Sequence, residues 1–157
     1  MKNWFNWLLE KNNLPQWLLI TGFVLALIGF ADAGYLSMKY LSGEKPKCFI
    51  TTGCDAVTSS IYSKIGPFPV ASLGFIFYTT LLVLFFLSLE SKETKWAKYA
   101  LIITPLGFLF TVYFLYIQAF VLNAFCIYCL FSAGSSTALF GLAMFHWIKN
   151  KFWLNLT

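Results

Sequence analysis

The stretch YALIITPLGFLFTVYFLYIQAFVLNAFCIYCLFSAGSSTALFGLAMFHWI, residues 99–148, decides the fold. Its 50 residues contain no Asp, Glu, Lys or Arg. A helix needs roughly 20 apolar residues to cross about 30 Å of hydrocarbon. The run is therefore too long for one crossing and right for two joined by a tight turn. Asn123, near its middle, has turn and helix-capping chemistry. The reading sets one helix over about 97–121 and the next over about 124–148.

Outward from that stretch, residues 65–89 form a second charge-free run. Its opening Gly66-Pro67-Phe68-Pro69 is poor helix, so a span over about 70–89 starts near Val70. A short charged link, Glu90 to Lys98, joins it to the third helix. The first span covers about 17–40, interrupted by Asp32 and ending near Lys39. The expectation is an all-α integral membrane protein, a four-transmembrane-helix bundle forming a single domain. Composition agrees: of 157 residues 59% are hydrophobic and 11% charged, where soluble domains carry about 25% charged residues. A soluble exterior and a disordered chain are both excluded. The net charge of +5 rests on lysine alone, which suits an anionic lipid bilayer rather than nucleic acid.

Leu18–Phe30 followed by Ala31-Asp32-Ala33 also has the outline of a signal peptide. Apolar character continues through Tyr35, Leu36 and Met38, however, and the preceding leader is long. Trp4, Phe5, Trp7, Leu8 and Leu9 in that leader suggest a short helix lying on the membrane surface. With both termini inside, seven lysines (2, 11, 92, 95, 98, 149, 151) are cytoplasmic and four (39, 45, 47, 64) are outside. That bias favours N-in and C-in. The outer side then holds one sizeable loop, about 41–69, and a short turn near 122–124.

All four cysteines fall at this outer, oxidising side. Cys48 and Cys54 lie in the large loop. Cys126 and Cys129 form a C-x-x-C at the start of the fourth helix, where a three-residue spacing puts them on one face. A helix N-terminus favours a thiolate at Cys126. Zinc would need further ligands, and His146 lies at the opposite membrane face. A static loop staple at Cys48 and Cys54 fits the compartment. An electron relay by thiol–disulfide exchange between the pairs fits it too, and a non-enzymatic scaffold with structural disulfides is the reading from another class. No nucleotide-binding glycine motif, Ser-His-Asp pattern or carboxylate pair competes.

Three segments carry a resemblance that covers nearly the whole chain. They are Cys54-Asp55-Ala56-Val57-Thr58-Ser59-Ser60, then Gly66 through Gly74 with Phe77-Tyr78, and Thr111-Val112-Tyr113-Phe114 running on to Phe125-Cys126-Ile127-Tyr128-Cys129. Together they resemble the vitamin K epoxide reductase family, bacterial type, with no fused thioredoxin-like domain. The resemblance implies a four-helix bundle around a quinone, capped by a short half-helix in the first outer loop, about 55–62 here. It implies that Cys126 and Cys129 are the active-site pair, with Cys129 facing the quinone, and that Cys48 and Cys54 are the shuttle pair. Cys54 would exchange with Cys126, and Cys48 would take electrons from a separate thioredoxin-like (DsbA-like) thiol oxidase outside the membrane. The implied acceptor is the quinone pool (menaquinone, ubiquinone or vitamin K), with no metal. The implied outcome is disulfide formation in exported proteins, in a prokaryotic plasma (inner) membrane rather than the endoplasmic reticulum. Epoxide-reducing animal members have Asn and Tyr where this chain has Val70 and Ala133, which favours plain quinone reduction over epoxide reduction.

Ser60, Val70, Leu73, Phe77, Gln118, Tyr128 and Ala133 are the expected quinone-binding residues. A helix–helix hydrogen bond is the plainer role for Gln118, and a backbone bond the plainer role for Ser60. Asp32 is a candidate proton relay, because carboxyls inside membranes are costly and tend to be functional; water or Lys39 would satisfy it otherwise. Gly43 and Gly53 are candidate hinges or ordinary turn residues. Gly134 with Ser135, Ser136 and Ala138 reads as a close helix-packing face.

Overall fold

The computed structural model of the protein describes residues 14–44, 53–65, 68–91 and 93–154. The expected surface helix before residue 14 lies outside them, as does Cys48. Four helices are long and apolar enough to cross a membrane. They are α1 (Gln16–Leu41), α3 (Val70–Ser91), α4 (Thr94–Tyr116) and α5 (Ile127–Leu154). The short α2 (Cys54–Thr58) and a 3-10 turn (Ile61–Ser63) lie between α1 and α3. Strands β1 (Lys64–Ile65) and β2 (Phe68–Pro69) pair antiparallel, Lys64 opposite Pro69. This small ribbon is where the chain turns into α3, a job that its prolines permit and a helix would not.

The helices form a ring in which α1 and α4 each pack on α3 and α5. The closest seam is between α1 and α3. Gly22, Ala26, Gly29 and Ala33 recur every three or four residues and present one small-residue stripe. A Cβ on Gly22 would lie 2.6 Å from the Phe85 ring, and one on Gly29 2.2 Å from the Tyr78 ring. The aromatic rings of α3 therefore fill space that only glycine leaves, the membrane route to close packing where lipid supplies no hydrophobic drive. The stripe expected around Gly134 behaves otherwise. A Cβ there would meet open space, although Ser135 and Ser136 are buried.

The tightly packed core occupies one half of the bundle. Leu18, Phe85, Leu101, Leu139 and Ala143 gather where α1 begins, α3 ends, α4 begins and α5 is in its second half. Ile20, Val24, Val83, Phe86 and Leu109 face outward and suit hydrocarbon. Polar residues are accommodated by hydrogen bonds to their own helix. Thr21, Thr79, Thr80 and Thr137 donate to the carbonyl four residues back.

Three elements differ from the sequence reading. The charged link shortens because α4 starts at Thr94, and Lys98, expected in the link, becomes a buried helix residue. The single half-helix over 55–62 is instead α2 followed by the 3-10 turn. Thr58 Oγ1 donates to Cys54 O at 2.8 Å and Ser60 Oγ to Val57 O at 2.8 Å, local bonds that compete with helix continuation. Helix α5 starts at Ile127 rather than 124. Asn123 is a left-handed turn residue with φ 47°, a conformation asparagine tolerates, and not the helix cap.

Candidate functional site

Opposite the packed core, at the end that carries α2, the bundle opens into a cavity of about 610 Å³. All four long helices and the α2 segment wall it. Lys39 and Glu44 form an ion pair on its wall, so Lys39 is not the partner of Asp32 that the sequence suggested. Asp32, Ser60, Val70, Leu73, Phe77, Gln118, Cys129 and Ala133, all expected at the site, share this wall. Tyr128 does not. Its ring packs on Tyr35, with centroids 4.9 Å apart. The Ser60 hydroxyl bonds backbone, as above. Phe77 is held in place by Gly107, where a Cβ would lie 2.3 Å from its ring.

The turn between α4 and α5 positions the C-x-x-C. Helix α4 widens into a π-helical turn, Ile117–Val121, and the chain then reverses through Asn123. Gln118 is buried and anchors this turn twice. Its Oε1 accepts from the Cys126 backbone N–H at 3.1 Å, and its carbonyl accepts from Ala124 N–H at 3.1 Å. The plainer of its two expected roles is therefore filled, while its side chain also reaches the cavity.

Cys126 precedes α5 rather than riding on it. Its carbonyl accepts from Leu130 N–H at 3.0 Å, which makes it the N-cap. The Cys129 thiol and the backbone N–H groups of Cys129 and Tyr128 all hydrogen-bond to the Cys126 sulfur. A thiolate suits that environment, since it accepts from donors that a helix N-terminus leaves free. These bonds, the one from Cys129 foremost, draw the Cys126 thiol down from 9.0 to about 7 against the opposing effect of burial.

Both thiols of this pair are free, Cys126 fully buried and Cys129 partly so. Cys54 is disulfide-bonded and buried. Gly53 explains how the loop reaches the pair. A Cβ there would lie 2.8 Å from both the backbone N and O of Phe125, so the residue before Cys54 rests on the residue before Cys126. Gly53 is a close-contact residue in a turn, while Gly43 has φ 68° and open space around it, as a turn glycine should.

The family model described as the vitamin K epoxide reductase family matches residues 20–144. The chain belongs to this family. The match takes in both cysteine pairs and most of the membrane bundle. Membership makes the protein a membrane oxidoreductase of quinone and disulfide chemistry. A comparison with curated proteins gave no match.

The cavity fits what this family binds. Its lining is largely apolar, a cysteine stands on its wall, and it lies among membrane helices. Among the described residues no three His, Cys, Asp or Glu side chains cluster as metal ligands. Three features escaped the sequence reading. These are the Gly53 contact, the Cys126 N-cap, and a polar group in which the Tyr78 hydroxyl bonds Ser132 O at 2.8 Å and Ser135 Oγ at 3.0 Å. The glycine next to Cys54 and the serines on the Cys129 face of α5 were the available signals.

Proposed function

We propose that this family member is a thiol:quinone oxidoreductase. It passes electrons from a thioredoxin-like (DsbA-like) protein outside the membrane through Cys48 and Cys54 to Cys126 and Cys129, and on to a quinone. One observation carries the reading. Cys126 is buried under the segment bearing Cys54, while Cys129, three residues on, stands on the cavity wall.

The partner's thiolate attacks the Cys48–Cys54 disulfide at Cys48 and frees Cys54. Cys54 then attacks the Cys126–Cys129 disulfide at Cys126, which releases Cys129 toward the cavity. The partner's second thiolate resolves the partner–Cys48 disulfide, so the partner leaves oxidised. The freed Cys48 then attacks Cys54 in the Cys54–Cys126 disulfide, which restores Cys48–Cys54 and leaves Cys126 and Cys129 reduced. Each step exchanges one S–S bond for another. Cys126 holds its charge on the N-cap, and Cys129 holds a proton at the cavity wall. A quinone bound there supplies a two-electron, two-proton sink. The walls formed by Val70, Leu73, Phe77 and Ala133 bury its ring and exclude water.

Val70 and Ala133 offer no hydrogen bond, each worth roughly 0.5–1.5 kcal/mol net, which supports quinone over epoxide as the oxidant. The lysine distribution supports N-in and C-in placement with the cysteines outside, and the likeness of the outer loop to bacterial members supports a prokaryotic plasma membrane.

The test is anaerobic reduction of menadione by dithiothreitol with the purified protein. Wild type is expected to turn over, and Cys129→Ser to fall to the uncatalysed background. Full turnover by Cys129→Ser would overturn the mechanism.

A further inference from the structure

The apolar residues at positions 70 and 133 leave a question of what orients a ligand's oxygens. A second polar group lies deeper in the same cavity. Asp32, Tyr78, Ser132 and Ser136 all line it, one from α1, one from α3 and two from α5. Asp32 is nine residues from the end of α1, Tyr78 eight from the start of α3, and Ser136 nine from the start of α5. At 1.5 Å per residue, all three sit about 12–14 Å in from the loop side. The bundle therefore brings them to one level.

Within this group the hydrogen-bond accounts do not close. Tyr78 is satisfied by Ser132 and Ser135. Among the described residues, Asp32 Oδ2 is buried without a hydrogen-bond partner, and Ser136 Oγ, which approaches the Tyr78 hydroxyl, makes no bond of good geometry. Ser136 is only 4% exposed. Unpaired buried polar atoms cost stability in a protein that gains nothing from them. Both residues belong to the wall of one cavity at one depth, and a ligand toward which these side chains turn would supply the missing acceptor and donor. Cys129 stands on the same face of α5 as Ser136, seven residues before it. That interval is about 10 Å along the helix, which suits a six-membered ring bearing oxygens at opposite ends. One oxygen would then lie toward the cysteine and the other toward Asp32 and Ser136.

We infer that Asp32 and Ser136 form the deep oxygen site for the quinone, with Ser136 holding the oxygen by a hydrogen bond and Asp32 delivering a proton to it. This deepens the quinone reading above and rests on it. The balance is closed. The S–H bond of Cys129 breaks, its sulfur and the Cys126 thiolate form one S–S bond, and two electrons and one proton leave the pair. The quinone gains two O–H bonds. Asp32 gives the proton for the deep oxygen, the proton of Cys129 goes to the other oxygen, and Asp32 regains one from water, so it is unchanged after a turnover. Its position allows this, since it stands on the same cavity wall as Cys129.

The experiment compares wild type with Asp32→Asn, Ser136→Ala and, as a control, the exposed Thr137→Ala. Menadione binding is read by tryptophan-fluorescence quenching, and anaerobic turnover with dithiothreitol is read separately. Reduction of the Cys126–Cys129 disulfide is followed by thiol alkylation to show that each variant is folded and exchange-competent. Asp32→Asn is expected to lower kcat roughly 100-fold, a usual general-acid contribution, with binding and disulfide reduction near wild type. Ser136→Ala is expected to raise the menadione Kd roughly tenfold, the worth of one hydrogen bond, with less effect on kcat. Wild-type kcat in Asp32→Asn, or wild-type Kd in Ser136→Ala, overturns the inference and leaves the thiol relay standing. Failure of the wild type to bind or reduce menadione overturns both.

Discussion

At Cys126 a thiol occupies the position where helices ordinarily place serine, threonine, aspartate or asparagine. The consequence is a charge held where the exchange partner arrives. Its ultraviolet thiolate absorbance, taken as the difference between the reduced protein and Cys126→Ser, should titrate with a midpoint near pH 7 rather than 9.0. The sign follows from the lowered value. The folded state holds the thiolate where the unfolded chain holds the thiol, so the stabilisation is complete above pH 9 and is lost as pH falls through about 7. A midpoint at the ordinary thiol value would contradict the cap. Gly53 makes the complementary case from the loop side. Gly53→Ala must push the Cys54 segment off the Phe125 backbone, and misplacement of about 1 Å can cost up to 100-fold in rate. Exchange between Cys54 and Cys126, timed by quenched alkylation, should slow at least tenfold while menadione binding holds; an unchanged exchange rate would show that the contact does not position the sulfurs. The cysteines themselves were readable from spacing, because C-x-x-C chemistry is local. The Gly53 contact was not, because it joins residues 72 positions apart.

The middle of α4 shows how a membrane helix absorbs a proline. Pro105 has no N–H to give the Leu101 carbonyl. The Thr104 hydroxyl, fully buried, donates to that carbonyl instead at 2.8 Å. Thr104→Val keeps the shape and removes the donor, so it should destabilise the protein by about 1–3 kcal/mol, while Thr104→Ser should not. Unfolding in a detergent series reads this; equal stability of the two variants would show that water or a neighbouring helix satisfies Leu101. Elements of this size were the most legible from sequence. Long apolar runs located all four long helices, since lipid imposes length and polarity on them directly. What escaped was local hydrogen bonding. Thr58 and Ser60 divide the capping segment, and the π-helical turn with Asn123 delays α5 until Ile127. Each such feature is decided by one or two side-chain bonds that hydropathy does not register.

The whole molecule divides its labour along the membrane normal. One half is closed by Leu18, Leu81, Phe85 and Leu101, and the other is kept open as a cavity. Composition and eleven lysines suggested a bundle with its cysteines on one side. They carried no sign of which half would be hollow, because the same aromatic and aliphatic residues line both. The division makes stability and ligand response separable. Leu81 of α3 is fully buried in the packed core, and Leu81→Ala should cost about 2–5 kcal/mol through the space it leaves. Menadione at 100 times its Kd should add about 2.7 kcal/mol to wild type by mass action. That increment should survive intact in Leu81→Ala, because the packed half does not touch the ligand. Ala133→Phe should do the reverse. It fills the hollow half, should leave unliganded stability near wild type, and should erase the menadione increment. Thermal unfolding of the three proteins with and without menadione decides the matter. If Leu81→Ala loses the increment along with its stability, the two halves are one cooperative unit and the cavity depends on the core for its shape.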